Sequence, residues 1–555
     1  MSVQLQGVPA APGVATGAPW IHRPASADAT AERPIADAAA EAADELAALA
    51  DRLREQGRPE EAGILDAQSL MAGDPELLDS ASAAEAAGTS AVTAITAAGE
   101  EAALMLEALD DEVLSARAAD VRDVAARIAR HLAGAPAPRL ERRSIAVAED
   151  LAPSITVELD RAHLAGIALE GGSRTSHAAI LARALGIPAV VGVAGLVAGA
   201  TEAAELAIDG DAGIAILDPD AEAHERLERA ASDQSLQREA DAAFAGRPLA
   251  TADGHRVMCA ANIAEPAEAE AAFAAGAEGI GLFRTEFAFA ARVAPPSVAE
   301  QAAAYERVIR AAGDAPVVVR LADIGGDKPL PYVAVAPEAN PFLGVRAIRL
   351  ADSHPALFET QIQAILAASR SAGRSVAIMA PMVADVADAR LVRDLVDRAR
   401  EAVPDAPEPR IGIMVEVPSA VLVADQLAGI MDFMSIGTND LTQYLLAADR
   451  GNPKLADRQD PLHPAVLRAV SRVVEGARAS GRECEVAVCG EMAGDPAGAL
   501  LLVGLGVDEL SMEPRAFNAV KRALAARTQA ELAELAVAAQ ALTSASDVRA
   551  SVVVA

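Results

Sequence analysis

Cysteine is nearly absent from this 555-residue chain. Cys259, Cys484 and Cys489 are too few and too unevenly placed for a disulfide framework or a zinc site. Positive charge is also short. There are 47 basic against 80 acidic residues, a formal charge of −33, which argues against nucleic acid or an anionic membrane surface as partner. No run of about twenty apolar residues is present to span a bilayer, because the high apolar content comes from abundant alanine. The N-terminal MSVQLQGVPAAPGVATG has no basic segment leading into an apolar core, so no secretory signal is expected there and the expected location is cytoplasmic. Lysine is the scarcest charge. Only Lys328, Lys454 and Lys521 occur, so Lys328, inside DIGGDKPLPY, marks a place where a compact ammonium rather than a guanidinium fork is wanted. Two of the three tyrosines, Tyr332 and Tyr444, also lie inside motif-like strings.

What is present falls into distinct stretches. Residues 1–20 read as a strand with tight turns. Residues 27–134 turn helical and rich in alanine and glutamate, with segments at 35–56, 60–72, 90–109 and 112–133 set apart by glycine and proline. Short apolar strands at 144–148, 166–169, 189–191 and 213–217 then alternate with helices. A charged helical stretch follows from 221 to about 245, with the character of a linker. Beyond Gly254, eight strand candidates stand at 257–261, 279–283, 317–320, 376–380, 411–415, 433–436, 486–489 and 507–510. That rhythm is the size of a (β/α)₈ barrel, with an open doubly wound sheet as the alternative.

The string GGSRTSHAAILARALGIPAVVG (171–192) places His177 between a glycine-rich loop and an apolar helix. Thr175 and Ser176 are N-cap types, so the helix is expected to begin near His177. An anion carried on that imidazole would meet free backbone N–H groups and the positive end of the helix dipole. A lone histidine more often packs or caps, and the full string is what points away from that here.

Nearly every barrel strand runs into polar residues at its C-terminal end, where a barrel keeps its active site. Arg284, Thr285 and Glu286 follow the second strand. Arg320, Asp323 and Lys328 follow the third, and Asn340 and Arg346 lie in its long loop. Glu416 follows the fifth strand, Thr438, Asn439, Asp440 and Arg450 the sixth, and Cys489 and Glu491 the seventh. Each alone has a dull explanation as a surface pair or a small buried thiol. On one rim they suit a dianionic ligand, because arginine forks match phosphate and carboxylate oxygens. Two carboxylates also suit Mg²⁺.

The strings EGIGLFRTEF, DIGGDKPLPY, NPFLGVRAIR, GIMVE, SIGTNDLTQY and CGEMAG, together with the histidine loop, resemble enzyme I of the bacterial phosphoenolpyruvate (PEP)-dependent sugar phosphotransferase system. The resemblance implies an α/β multidomain protein. A phosphohistidine α/β domain (1–26 and 134–220) would hold an all-α helical insertion (27–133) that docks the histidine carrier protein HPr. A helical linker (221–249) would lead to a PEP-binding (β/α)₈ TIM-type barrel (250–555), through which a homodimer forms. It implies transfer of the phosphoryl group of PEP to His177 and then to HPr, with release of pyruvate, as the first step of sugar uptake. By the same resemblance Cys489 is the proton donor, and Arg284, Arg320, Lys328, Arg346, Asn439 and Arg450 bind substrate. Glu416 and Asp440 hold Mg²⁺, and Thr156 and Thr175 support the histidine loop. Since His177 and the barrel lie in different domains, interdomain motion would be part of the cycle.

Two positions depart from the pattern: Ser173 stands where the family has a glycine, and His463 lies in a DPLHPAVL string closer to PEP synthase and pyruvate phosphate dikinase. Those enzymes share the histidine loop and barrel but carry an ATP-grasp domain. The largely helical stretch before the loop has no glycine-rich nucleotide loop, which disfavours ATP use. A PEP synthase-like enzyme with a partner subunit and a non-catalytic PEP sensor are the competing readings.

Overall fold

The computed structural model describes residues 2–23, 33–55, 59–107, 112–172, 177–290, 292, 294–326, 328, 330, 332–333, 336, 338–450, 452, 455 and 458–554. They form two compact units, Met1–Leu236 and Gln237–Ala555. No helix among the described residues is long and apolar enough to cross a membrane.

The first unit opens with β1 (Val3–Gln6), β2 (Val8–Ala11) and β3 (Val14–Ile21). Five helices follow: α1 (Ile35–Glu55), α2 (Pro59–Ala72), α3 (Pro75–Ala86), α4 (Ala91–Glu107) and α5 (Glu112–Leu132). The chain then returns to the sheet through β4 (Ser144–Ala148), α6 (Pro153–Glu158), β5 (Leu164–Leu169), α7 (His177–Leu185), β6 (Ala189–Val191), α8 (Leu196–Glu202), β7 (Leu206–Asp209) and β8 (Ile214–Leu217). The eight strands form one mixed sheet in the order β1-β8-β7-β3-β4-β5-β6-β2. Parallel β3-β4-β5-β6 form its centre, and antiparallel pairs close both edges. α9 (Ala221–Ala242) runs across the division between the units.

Two elements go beyond the sequence reading. The N-terminal stretch is three strands rather than one, because β1 and β2 pair with β8 and β6, some two hundred residues later, and are too short to show a period of their own. Helix α3 lies where Gly73–Pro75 and Gly88 read only as breaks. Asp74 caps it by accepting from the Glu76 and Leu77 amides, and Pro75 sits where a helix needs no N–H. The insertion is fastened to the sheet layer by Arg127 of α5, which is 4% exposed. Its guanidinium donates to Ser154 and Glu158 of α6 at 3.1 and 2.9 Å and lies 3.1 Å from Glu45 of α1.

The second unit is a closed, all-parallel barrel of eight strands: β9 (Met258–Ile263), β10 (Gly279–Phe283), β11 (Val317–Arg320), β12 (Ala377–Ala380), β13 (Arg410–Val415), β14 (Phe433–Ile436), β15 (Glu485–Val488) and β16 (Glu509–Met512). Closure settles the choice between barrel and open sheet, since β16 pairs with β9 from Glu509–Met258 to Met512–Ala261. β16 begins two residues after the expected 507. Asp508 precedes it; its backbone bonds to Val486 and Met258, and its carboxylate also takes the Val486 amide and Arg478. Leu282, Val318, Ala377, Met379, Met414, Phe433 and Cys489 cluster together. Glycines make room for larger neighbours: a Cβ on Gly412 would stand 2.4 Å from the Phe433 ring, and one on Gly281 would stand 2.2 Å from Glu509 Oε1.

Burial pushes the Glu509 carboxyl from 4.5 up to about 8, with Glu485 adding to the rise. A carboxyl raised in the folded state binds its proton more tightly than the unfolded chain does. Its contribution is therefore whole below about pH 4.5 and is lost progressively as pH climbs to about 8. Thermal melts between pH 5 and 8 should show stability falling, and Glu509→Gln should flatten that slope; an unchanged slope would remove Glu509 as a cause.

Candidate active site

The C-terminal rim of the barrel gathers charge around one carboxylate. Asp323, just beyond β11, is 2% exposed. Arg346 grips it with two parallel bonds, Nε to Oδ1 at 3.0 Å and Nη2 to Oδ2 at 2.6 Å. Lys328 Nζ donates to Oδ2 at 2.9 Å, and Arg320 Nη2 lies 3.9 Å away. Burial alone would raise this carboxyl, but Arg320, Lys328 and Arg346 hold it well below the carboxylate range. Burial likewise opposes charge on Arg320, and Glu286, Asp323 and Glu416 more than offset it. Arg320 Nη2 donates to Glu286 at 2.8 Å.

The loop between Asp323 and Arg346 folds this way because of its glycines. Gly325 and Gly326 take φ of +87° and +57°, and side chains there would meet Val345 O at 2.7 Å and Pro341 O at 2.5 Å. Backbone bridges tie Gly325 to both Lys328 and Arg346, which brings two distant cations to one anion.

Beside this cluster lie two further carboxylates. Glu416, directly after β13, is 2% exposed and accepts the Met382 amide at 2.6 Å. Burial, then Asp440 and Asp323, push it up to about 8. Asp440 sits in the first turn of the helix Thr438–Leu446. Among the described residues its buried Oδ1 accepts no hydrogen bond, although Arg450 Nη1 lies 3.4 Å away, and Arg346 Nη2 is 3.8 Å from Oδ2. A carboxyl raised by burial and by its neighbours, beside a second carboxylate with a buried oxygen left over, fits a divalent cation. Among the described residues no cluster of three or more metal-type side chains forms. The pair would therefore leave most of an octahedron to substrate and water.

Cys489 follows β15 on the same rim and is 4% exposed. Burial pushes its thiol up to about 11, with Ser435, Arg320 and Arg284 pulling the other way, so it is protonated at neutral pH. Asn262 Nδ2 fixes its carbonyl at 3.0 Å, and Ser511 in turn donates to Asn262 at 2.6 Å. Asn439 exchanges bonds with Glu491, at 3.0 and 3.3 Å. Arg284 is exposed, and no ion pair among the described residues occupies it. Arg450 is also exposed, and its guanidinium stands 5.6 Å from the Phe342 ring centroid.

Gln361 escaped the sequence reading, whereas Thr285 and Tyr444, which also brace the rim, lie in strings it singled out. Gln361, on a helix after the loop, accepts the Ala322 amide at 2.9 Å and donates to Thr285 at 2.8 Å; Thr285 donates to Arg320 O at 2.9 Å. Tyr444 donates to Phe342 O at 2.5 Å, tying the Asp440 helix to the loop before Arg346. A glutamine inside an amphipathic helix carries no sequence signal of such a role.

In the first unit, His177 is the first residue of α7, and Thr156 lies on α6. Thr175 and Ser173 lie outside the described residues. The glycine-rich approach is anchored by Gly192 N donating to Gly171 O at 2.9 Å, with Gly172 at φ +86°. His463 N-caps the helix Pro464–Ala479, its Nδ1 accepting the Ala465 amide at 3.1 Å.

The sequence matches the PEP-utilising enzyme family in three parts: the N-terminal domain over 6–117, the mobile domain over 140–213 and the PEP-binding domain over 238–529. It is 42% identical over 510 residues to a phosphoenolpyruvate-protein phosphotransferase of Haloferax volcanii, covering 90% of this chain and 88% of that one. It is 43% identical over 508 residues to a multiphosphoryl transfer protein of Rhodobacter capsulatus and 40% over 561 to one of Xanthomonas campestris, covering 91% and 98% of this chain. The chain spans only 61% and 66% of the length of those two relatives.

Proposed function

The chain belongs to the PEP-utilising enzyme family, and from that membership we propose that it is a PEP–protein phosphotransferase. It takes the phosphoryl group of PEP onto His177, releases pyruvate and passes the group to the carrier HPr, as the first step of sugar uptake. The observation that carries this reading is the rim itself: Arg320, Lys328 and Arg346 converge on Asp323 beside the Glu416–Asp440 pair and Cys489.

Arg320 and Arg346, already braced by carboxylates, would present guanidinium edges to PEP at little ordering cost. Arg284 and Arg450 add charge from the open side of the rim, with Lys328 and Asn439 assisting. Glu416 and Asp440 would hold Mg²⁺, which when bound neutralises substrate oxygens during phosphoryl transfer. His177, as neutral imidazole, attacks phosphorus. The start of α7 favours the anion it then carries by roughly 0.3–1 kcal/mol, with Thr156 and Thr175 supporting the loop. Cys489 gives its proton to C3 of the enolate, which completes pyruvate. We assign the helical insertion (27–133) to HPr docking, residues 1–26 and 134–220 to the phosphohistidine domain, 221–249 to the linker and 250–555 to PEP binding and homodimerisation, in the cytoplasm.

PEP labelled in its phosphoryl group, with Mg²⁺ and no ATP, should leave acid-labile label on the protein that HPr then removes. Label only from ATP would move the chain to the synthase type, and none from either would make it a sensor. Cys489→Ala should bind PEP normally yet turn over ~10²–10⁴-fold more slowly; a wild-type rate would remove Cys489 from the donor role. Glu416→Gln should raise the Mg²⁺ concentration for half-maximal rate by about tenfold or more, as loss of an outer partner alone costs 10–100-fold in other metal sites. An unchanged Mg²⁺ requirement would place the cation elsewhere.

A further inference from the structure

The barrel has a second opening, opposite the rim. A cavity of about 230 Å³ there is lined by the first residues of seven strands: Met258, Val317, Ala377, Arg410, Phe433, Glu485 and Glu509. Arg410 is paired with Glu485 at 2.8 Å, and Arg374 donates to Ala315 O at 2.6 Å, so these charges are already engaged at the mouth. Asp314 also lines the cavity. Two polar side chains reach inward past them. Glu509, 6% exposed, lays its carboxyl over the notch at Gly281, where Ser511 Oγ also comes within 2.5 Å of the missing Cβ position. Ser435, 1% exposed, lines the same cavity, and its buried Oγ makes no close hydrogen bond among the described residues. Ser435 pairs with Ala487 across β14 and β15, two residues before Cys489. Its hydroxyl is near enough to the Cys489 thiol to pull it below where burial alone would set it.

Once Cys489 has protonated the enolate it is a buried thiolate and must recover a proton before the next turnover. Arg320 and Arg284 of the rim also act on the thiol. We propose that the cavity supplies this proton from the mouth opposite the substrate, with Glu509 and Ser435 as the relay. This rests on the phosphotransferase reading. The balance is simple. The Cys489 S–H bond breaks as the C3–H bond of pyruvate forms. Ser435 O–H then gives its proton to Sγ while taking one from cavity water. That water takes the Glu509 carboxyl proton, and Glu509 reloads from bulk solvent, so the net transfer is one solvent proton to C3. The cavity has room for several waters at about 30 Å³ each, and polar groups to hold them. The neutral state of buried Glu509 below pH 8 agrees with its standing as a proton store.

The test separates the first turnover from later ones in the full chain. Glu509→Gln keeps the shape of the neutral acid but carries no transferable proton. With the thiol protonated at the start, rapid-quench labelling of His177 by PEP should proceed at the wild-type rate. Steady-state pyruvate release with excess HPr should fall about tenfold or more. Ser435→Ala should show the same split, and Ser435→Thr, which keeps the hydroxyl, should not. Steady-state rates equal to wild type in both Glu509→Gln and Ser435→Ala would overturn the proposal. So would first-turnover and steady-state rates falling together, which marks a structural role. Failure of the wild type itself to label from PEP would instead strike the phosphotransferase reading, and the relay with it.

Discussion

Replacing His177 by alanine is expected to abolish phosphoryl transfer while leaving PEP binding intact. The nucleophile must be an uncharged nitrogen near neutral pH, which imidazole supplies with an intrinsic pKa of about 6.5. It must also stand where the resulting anion is tolerated, which the first position of α7 provides. The proposed substrate clamps belong to the barrel unit, so removing the imidazole should leave them whole. Labelled PEP checks the first half of the expectation and equilibrium binding the second. Acid-labile label persisting on His177→Ala would move the acceptor elsewhere, and loss of PEP affinity would place His177 in substrate binding as well.

Asp323→Asn should be the most damaging change in the barrel. This carboxylate takes two bonds from Arg346, which is 0% exposed, and one from Lys328. Neutralising it removes the charge from the partner of a buried guanidinium, with Asp440 3.8 Å away. Breaking a buried pair from one side costs about 3–5 kcal/mol. The two glycines and the bridges at Gly325 also lose the ion pair that holds their loop. We therefore expect the barrel to melt earlier by that free energy and the KM for PEP to rise, since Arg346 and Lys328 are no longer held in place. Asp323→Glu, which keeps the charge, should recover part of both. A melting temperature and KM equal to wild type would show that Asp323 braces neither.

The sequence determined the fold class and much of the rim. Eight apolar strands recurring between helices already had the rhythm of a barrel, and the residues after them were polar because that is where strands stop being core. Lys328 stood out because lysine is so scarce, and Glu416, Asp440, Cys489 and the arginines were legible as strand-end residues. His177 was legible from its string and from N-cap chemistry, and α7 begins at that residue.

The remainder depends on contacts between distant parts of the chain. That Arg346 and Lys328 share Asp323 follows from a loop doubled back at Gly325 and Gly326, which linear spacing does not reveal. That Glu416 is raised and Cys489 stays protonated follows from burial and from neighbours on other strands. Gln361, Asn262 and Ser511 look like ordinary core-flanking positions until the barrel closes and brings β9 against β16. The cavity at the strand starts likewise exists only because those starts meet in a ring. A strand's ends can be read locally, since they mark where apolar periodicity stops. Which ends face one another is fixed by closure, and closure is a long-range property that no window of sequence contains.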